Sequence, residues 1–138
     1  MTQTAIIWPT IAHVALVFFV YVLLGMRRRQ AVMSGETRIS SFRENQNEPP
    51  SSLFARNNLE NQFELPVLFH ACCLAMFVTG AVGMWAVVVA WLFVVSRVVH
   101  TAIHVTSNRV RFRQPAFLAG FLALGVMWGM LAVHLLTS

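Results

Sequence analysis

The sequence predicts an all-α integral membrane protein, a bundle of four spanning helices, on three observations. Hydrophobic residues fill 57% of the 138 positions and charged residues only 11%, against about a quarter charged in a soluble domain; the mean hydropathy is +0.66. Apolar stretches at Ala5–Met26, Leu65–Met84, Trp85–Val105 and Pro115–Leu136 each reach the ~20 residues a helix needs to cross ~30 Å of hydrocarbon. The ten basic residues are all arginine, and nine fall in two segments, Arg27–Arg56 and Arg109–Arg113. Four spans put both segments on one side, which the positive-inside rule makes cytoplasmic, with both termini outside.

Each element follows in order. The first helix is predicted over 5–26. It is too long for a signal-peptide core and has no basic residue before it, so it reads as a retained span. Met26-Arg27-Arg28-Arg29 ends it at the interface, and a polar loop follows over 27–52, too poor in apolar residues to fold alone. A second helix is predicted over 53–80, with Ser51-Ser52 positioned to cap it and Pro66 expected to kink it near the membrane surface. Gly80-Ala81-Val82-Gly83 supplies the turn to a third helix over 85–106. A short loop over 107–114 leads to a fourth helix over 115–137, with Pro115 suited to its first turn. Gly120, Gly125 and Gly129 there are spaced for close helix approach. The whole chain reads as one membrane domain with no internal repeat.

Composition excludes several function classes. The net charge of +5 has no soluble aromatic-and-basic module to hold nucleic acid, and is accounted for by topology and contact with anionic lipid headgroups. Cys72 and Cys73 are adjacent inside a span, which gives neither a disulfide framework nor metal-ligand spacing; no metal site is expected. No acidic residue lies deep in a span, which argues against a proton-coupled exporter.

Arg97 carries most information. A charge within a span costs about 2.5–3.5 kcal/mol on insertion scales, so it needs an interior face, a partner or a task. Helical steps of three and four put Arg97, His100 and His104 on one face. Asn57, Glu60 or Asn61, and Glu64 form a matching stripe on the preceding helix. Counting back equally from the Gly80–Gly83 turn sets Glu64 level with His100, Asn61 level with His104, and Arg97 about one turn from Glu64. Two readings stand. One is a structural ion pair, Arg97 with Glu64, locking two helices. The other is a polar pocket in the cytoplasmic third, since one pair accounts for two of these residues and not six. Arginines for carboxylates and a glutamate for an amine suit a ligand such as glutathione. Histidines in all four apolar stretches (His13, His70, His100, His134) leave a third option, with His13 and His134 as a bis-imidazole haem pair.

These segments resemble the MAPEG family, membrane-associated proteins in eicosanoid and glutathione metabolism. The family's Asn-x-x-Glu element is matched by Asn61 and Glu64, its Arg-x-x-His element by Arg97 and His100, and its arginine thirteen residues after that histidine by Arg113. Bacterial members resemble the chain most closely, through Asn61–Phe69. The resemblance implies a homotrimer in a bacterial inner membrane, with glutathione as co-substrate between subunits and a lipophilic electrophile arriving from the lipid. It implies Arg113 as the thiolate-stabilising catalytic residue and Asn57, Asn61, Glu64, Arg97, His100, His104 and Arg109 as glutathione-binding. Three departures stand out. Asn57 occupies the place of an arginine, His104 that of a tyrosine, and Phe117 that of a second tyrosine. They leave open a non-catalytic lipid-binding or scaffold protein on the same fold.

Overall fold

The computed structural model describes residues 2–43 and 47–138. Helix α1 (Ile7–Met33) is entered through a short 3-10 turn, Gln3–Ile6, and followed by α2 (Pro50–Gln62), α3 (Leu65–Thr79), α4 (Met84–Val105) and α5 (Val110–Thr137). Among the described residues there is no strand. Four helical segments are long and apolar enough to cross a membrane: Gln3–Met33, Pro50–Thr79, Met84–Val105 and Val110–Thr137. Helix α4 packs chiefly on α5, and α1 chiefly on α2. The interior is a seam of Phe69, Cys73, Met76, Ala86, Ala90, Phe93, Leu124 and Met127, with Phe69 and Phe93 stacked at 4.3 Å between ring centres. Large apolar side chains such as Phe18, Val22, Val78, Leu92 and Leu122 point outward and are more than half exposed. A soluble monomer does not expose apolar surface on this scale; a spanning bundle faces lipid with it. The chain is a multi-pass integral membrane protein.

The elements differ from the sequence expectation at their ends. Helix α1 continues past the arginine triplet to Met33, because Gln30, Ala31 and their neighbours favour helix and Gly35, at φ +78, is the first residue to turn the chain. The arginines therefore lie on the helix. Arg27 donates to the Val105 carbonyl at 2.7 Å, satisfying an orphan acceptor at the end of α4. Ser51 and Ser52 do not cap α2. Pro49 is the N-cap and Pro50 the first helical residue, with no side-chain cap, since proline's fixed φ and missing N–H suit that position. The Ser52 hydroxyl donates instead to Glu48. Pro66 produces a break, not a kink: α2 stops at Gln62 and α3 starts at Leu65. Proline has no N–H for the Gln62 carbonyl four residues back, and its ring would collide with it. The Gly80 turn is a Schellman closure. Gly80 is left-handed at φ +73, its N–H donates to Phe77 and that of Ala81 to Met76. Pro115 lies inside α5, which begins five residues earlier at Val110. Asn108, at φ 48, turns the chain early enough to start that helix, asparagine being among the residues that tolerate this region.

Of the three glycines on α5, only Gly120 makes a close approach within the chain. A Cβ there would stand 2.5 Å from Ser96 Oγ, while Gly125 and Gly129 have open space. Gly120→Ala should therefore destabilise by about 1–3 kcal/mol, the usual cost of overpacking, seen as a lower thermal midpoint in detergent. Adding Ser96→Ala should restore most of it, because Ser96 Cβ is 3.7 Å from that point.

The first loop is tied to α1. Arg28 pairs with Glu48 at 2.6 Å, with the Glu48 side chain 1% exposed, and Arg28 also lies over the Phe42 ring. Burial pushes the Glu48 carboxyl up, but hydrogen bonds from Arg28 and Ser52 and the nearby arginine charges outweigh it and hold the carboxyl below its ordinary value of 4.5. A carboxyl depressed in the fold adds stability above its ordinary value, which is lost as pH falls through the depressed one. Proteolysis between α1 and α2 should accelerate only below the ordinary carboxylate range, and Glu48→Gln should remove that pH dependence.

Candidate functional site

The break between α2 and α3 builds the site. It lets α2 lie at the arginine-rich end of the bundle with its polar faces turned toward α4 and α5. A cleft of about 430 Å³ opens there, lined by Asn57, Glu60, Asn61 and Glu64 from α2 and its end, His100 and His104 from α4, and Arg113, Gln114 and Phe117 from α5. Arg113 is steered by the side-chain amide oxygen Oδ1 of Asn108, to which its Nη1 donates at 2.5 Å. Asn61 is fixed by donating to the Asn57 carbonyl at 2.9 Å. The His100 and His104 rings stand perpendicular, 5.5 Å apart, and His100 also faces the Phe117 ring at 5.9 Å.

Six of the eight residues singled out by sequence share this cleft: Asn57, Asn61, Glu64, His100, His104 and Arg113. Arg109 does not join them; it is the exposed N-cap of α5, because α5 begins immediately after it. Arg97 lies behind the cleft, fully buried. Its Nη2 donates to the Asn61 carbonyl at 3.3 Å, and its Nε and Nη1 are buried without a partner among the described residues, as are both ring nitrogens of His100. The Arg97–Glu64 ion pair is not formed; among the described residues the ion pairs are Arg28–Glu48 and Arg56–Glu60. The broken helix explains where the guanidinium goes instead. In an unbroken helix the Asn61 carbonyl would accept from residue 65; released by Pro66, it is an orphan acceptor at a helix C-terminus, which attracts a cation.

Sequence reasoning missed a buried polar layer beside the cleft. His13 contacts His70 at 3.0 Å and Gln62 at 3.1 Å. Gln62 donates to Asn58 and to Thr101, both at 3.0 Å, and Asn58 meets His104 Nδ1 at 3.3 Å. Asn58 and Gln62, four apart on α2, were the available signal; nothing in the sequence showed that His13 on α1 closes on them. This layer also corrects the haem reading. Both ring nitrogens of His13 are engaged, so it has none free to pair with His134 as an axial ligand. No group of three or more histidine, cysteine or acidic residues is arranged for a metal among the described residues.

An outward-facing groove of about 490 Å³ between α4 and α5, lined by Val89, Leu92, Val95, Val99, Leu122 and Val126 among others, is almost wholly apolar. The family model described as MAPEG family matches residues 6–133, nearly the whole chain. No curated protein and no solved structure matches.

Proposed function

Because the chain belongs to the MAPEG family, whose members are membrane proteins of glutathione and eicosanoid metabolism, we propose that it is a glutathione-dependent transferase, with peroxidase activity as a variant of the same chemistry, acting on lipophilic electrophiles. The observation that supports this most is the convergence of Asn57, Asn61, Glu64, His100, His104 and Arg113 on one cleft. The cleft offers what a tripeptide thiol needs: a carboxylate for the amine, amides for the peptide groups, and a guanidinium. Arg113 favours the thiolate by opposing its charge. The thiolate attacks an electrophilic carbon, a carbon–sulfur bond forms, and the leaving group departs with the bonding pair. The apolar groove between α4 and α5 is a seat for the acceptor, reached from lipid.

The assembly is proposed as a homotrimer in a bacterial inner membrane, with the arginine-rich loops cytoplasmic and both termini outside. A neighbouring subunit would close the open side of the cleft and supply further cations for the glutathione carboxylates. Arg97 then acts from behind by holding the end of α2, and Arg109 is left out of the ligand shell.

Titration of detergent-purified protein with glutathione tests the reading. Saturable binding below millimolar concentration, with the ultraviolet absorbance of a thiolate and turnover of an aryl chloride, is expected. Binding without turnover would favour the non-catalytic alternative, to which Phe117 in place of a tyrosine points. No binding at millimolar concentration would sink both the transferase and the peroxidase.

A further inference from the structure

The buried polar layer beside the cleft has a direction. His70 Nε2 and His13 Nδ1 are 3.0 Å apart, His13 Nε2 and Gln62 Oε1 3.1 Å, Gln62 Nε2 and Asn58 Oδ1 3.0 Å, and Asn58 Nδ2 and His104 Nδ1 3.3 Å. Gln62 Nε2 also donates to Thr101 Oγ1 at 3.0 Å. An amide oxygen can only accept and an amide nitrogen can only donate. Gln62 Oε1 therefore requires the proton of His13 on Nε2. That leaves His13 Nδ1 bare, to accept from His70 Nε2–H. At the other end the Asn58 amide must donate, so His104 Nδ1 is bare and its proton sits on Nε2. Every bond in the row points the same way, from His70 to His104. His13, Asn58, Gln62, Thr101 and His104 are each at most 4% exposed, so no solvent competes for these groups.

We propose that this row is a positioning device. It fixes His104 as the Nε2–H tautomer and thereby presents the cleft with an N–H donor for an acceptor atom of the bound ligand. Which ring nitrogen of a histidine carries the proton is set by the bond the other makes. His104 lines the cleft, its Nδ1 is taken, and Nε2 is the nitrogen left to serve it. The row spans α1, α3, α2 and α4, so the packing of the whole bundle holds one tautomer. The histidine thus offers one defined donor, without the ambiguity of a free imidazole. The identity of the acceptor as a carboxylate or thiolate of glutathione rests on the function proposed above; the tautomer does not.

The test is nitrogen-15 NMR of histidine-labelled full-length protein in detergent, with His104 assigned by its loss in His104→Gln. His104 is expected with a protonated Nε2 and a bare Nδ1. Asn58→Asp keeps the shape but offers only acceptors, so the His104 proton should move to Nδ1 and the Kd for glutathione should rise about tenfold. In the His104→Gln background, where the side-chain amide donates whatever Asn58 is, Asn58→Asp should leave that Kd unchanged. A wild-type His104 protonated on Nδ1, or a tautomer unmoved by Asn58→Asp, would overturn the proposal. If Asn58→Asp does not fold, the wild-type spectrum still decides, and Gln62→Met should convert the single tautomer into a mixture. If the wild type binds no glutathione, the function proposed above fails while the spectrum continues to judge the tautomer.

Discussion

Arg113→Ala should leave the bundle intact and cut glutathione conjugation at pH 7 about tenfold to thirtyfold. The size comes from the thiolate. A free thiol titrates near 8.5, which makes only about 3% of it ionised at pH 7. An opposite charge within about 4–6 Å lowers a pKa by one to three units, which raises the ionised share to about a quarter or more. Arg113 lines the cleft and is held in place by Asn108, so removing it should cost that whole gain. The sign with pH follows. Raising the pH toward 9 should restore most of the variant's rate, since the thiol then ionises unaided, while the unaltered protein should gain at most about fourfold. Asn108→Ala leaves the cation but loosens it and should fall between the two. A variant that turns over as fast as the unaltered protein at pH 7 would remove Arg113 from the chemistry and point to another cation.

The fold was legible because each span is a long apolar run and the arginines sort to one end; both signals are local. Helix ends were less legible. Pro66 was visible as a disturbance, but whether a proline bends or breaks a helix depends on what else can take the freed carbonyls. Here Arg97, on another span, takes one of them. The cleft was readable as far as helical periodicity and a common turn reach, which covers Asn57, Asn61, Glu64, His100 and His104. Arg109 lies outside the cleft of its own chain because α5 begins right after it and leaves it exposed at the N-cap. The buried row escaped for a different reason. Its two amides and three histidines come from four helices, and only the packing of α1 against α2 brings His13 to Gln62.

Arg97→Met should raise the thermal midpoint of the ligand-free protein, the reverse of what a helix-locking ion pair would give. The guanidinium is fully buried; among the described residues it makes one hydrogen bond, of 3.3 Å to a carbonyl, and two of its nitrogens have no partner. That bond contributes about 1.5–3 kcal/mol as a charged donor, while burying an ion costs several kcal/mol. Exchange for an apolar side chain of similar length should therefore stabilise by about 1–4 kcal/mol, the range seen when buried charges are replaced by packing. Ligand binding should move the other way. Without the cation, the last turn of α2 loses its tie to α4, and Asn61 and Glu64 no longer hold their places at the cleft; the Kd for glutathione should rise about tenfold. Glu64→Gln separates the explanations. If Arg97 and Glu64 formed a lock, Arg97→Met would strand a carboxylate and destabilise, and Glu64→Gln would rescue it. With no ion pair between them, Glu64→Gln should add nothing to stability in the Arg97→Met background and should only weaken glutathione further. A lowered midpoint in Arg97→Met, restored by Glu64→Gln, would return Arg97 to the role of a structural lock. A raised midpoint with weakened binding means that the bundle carries this charge at a cost in stability for the sake of the site in front of it.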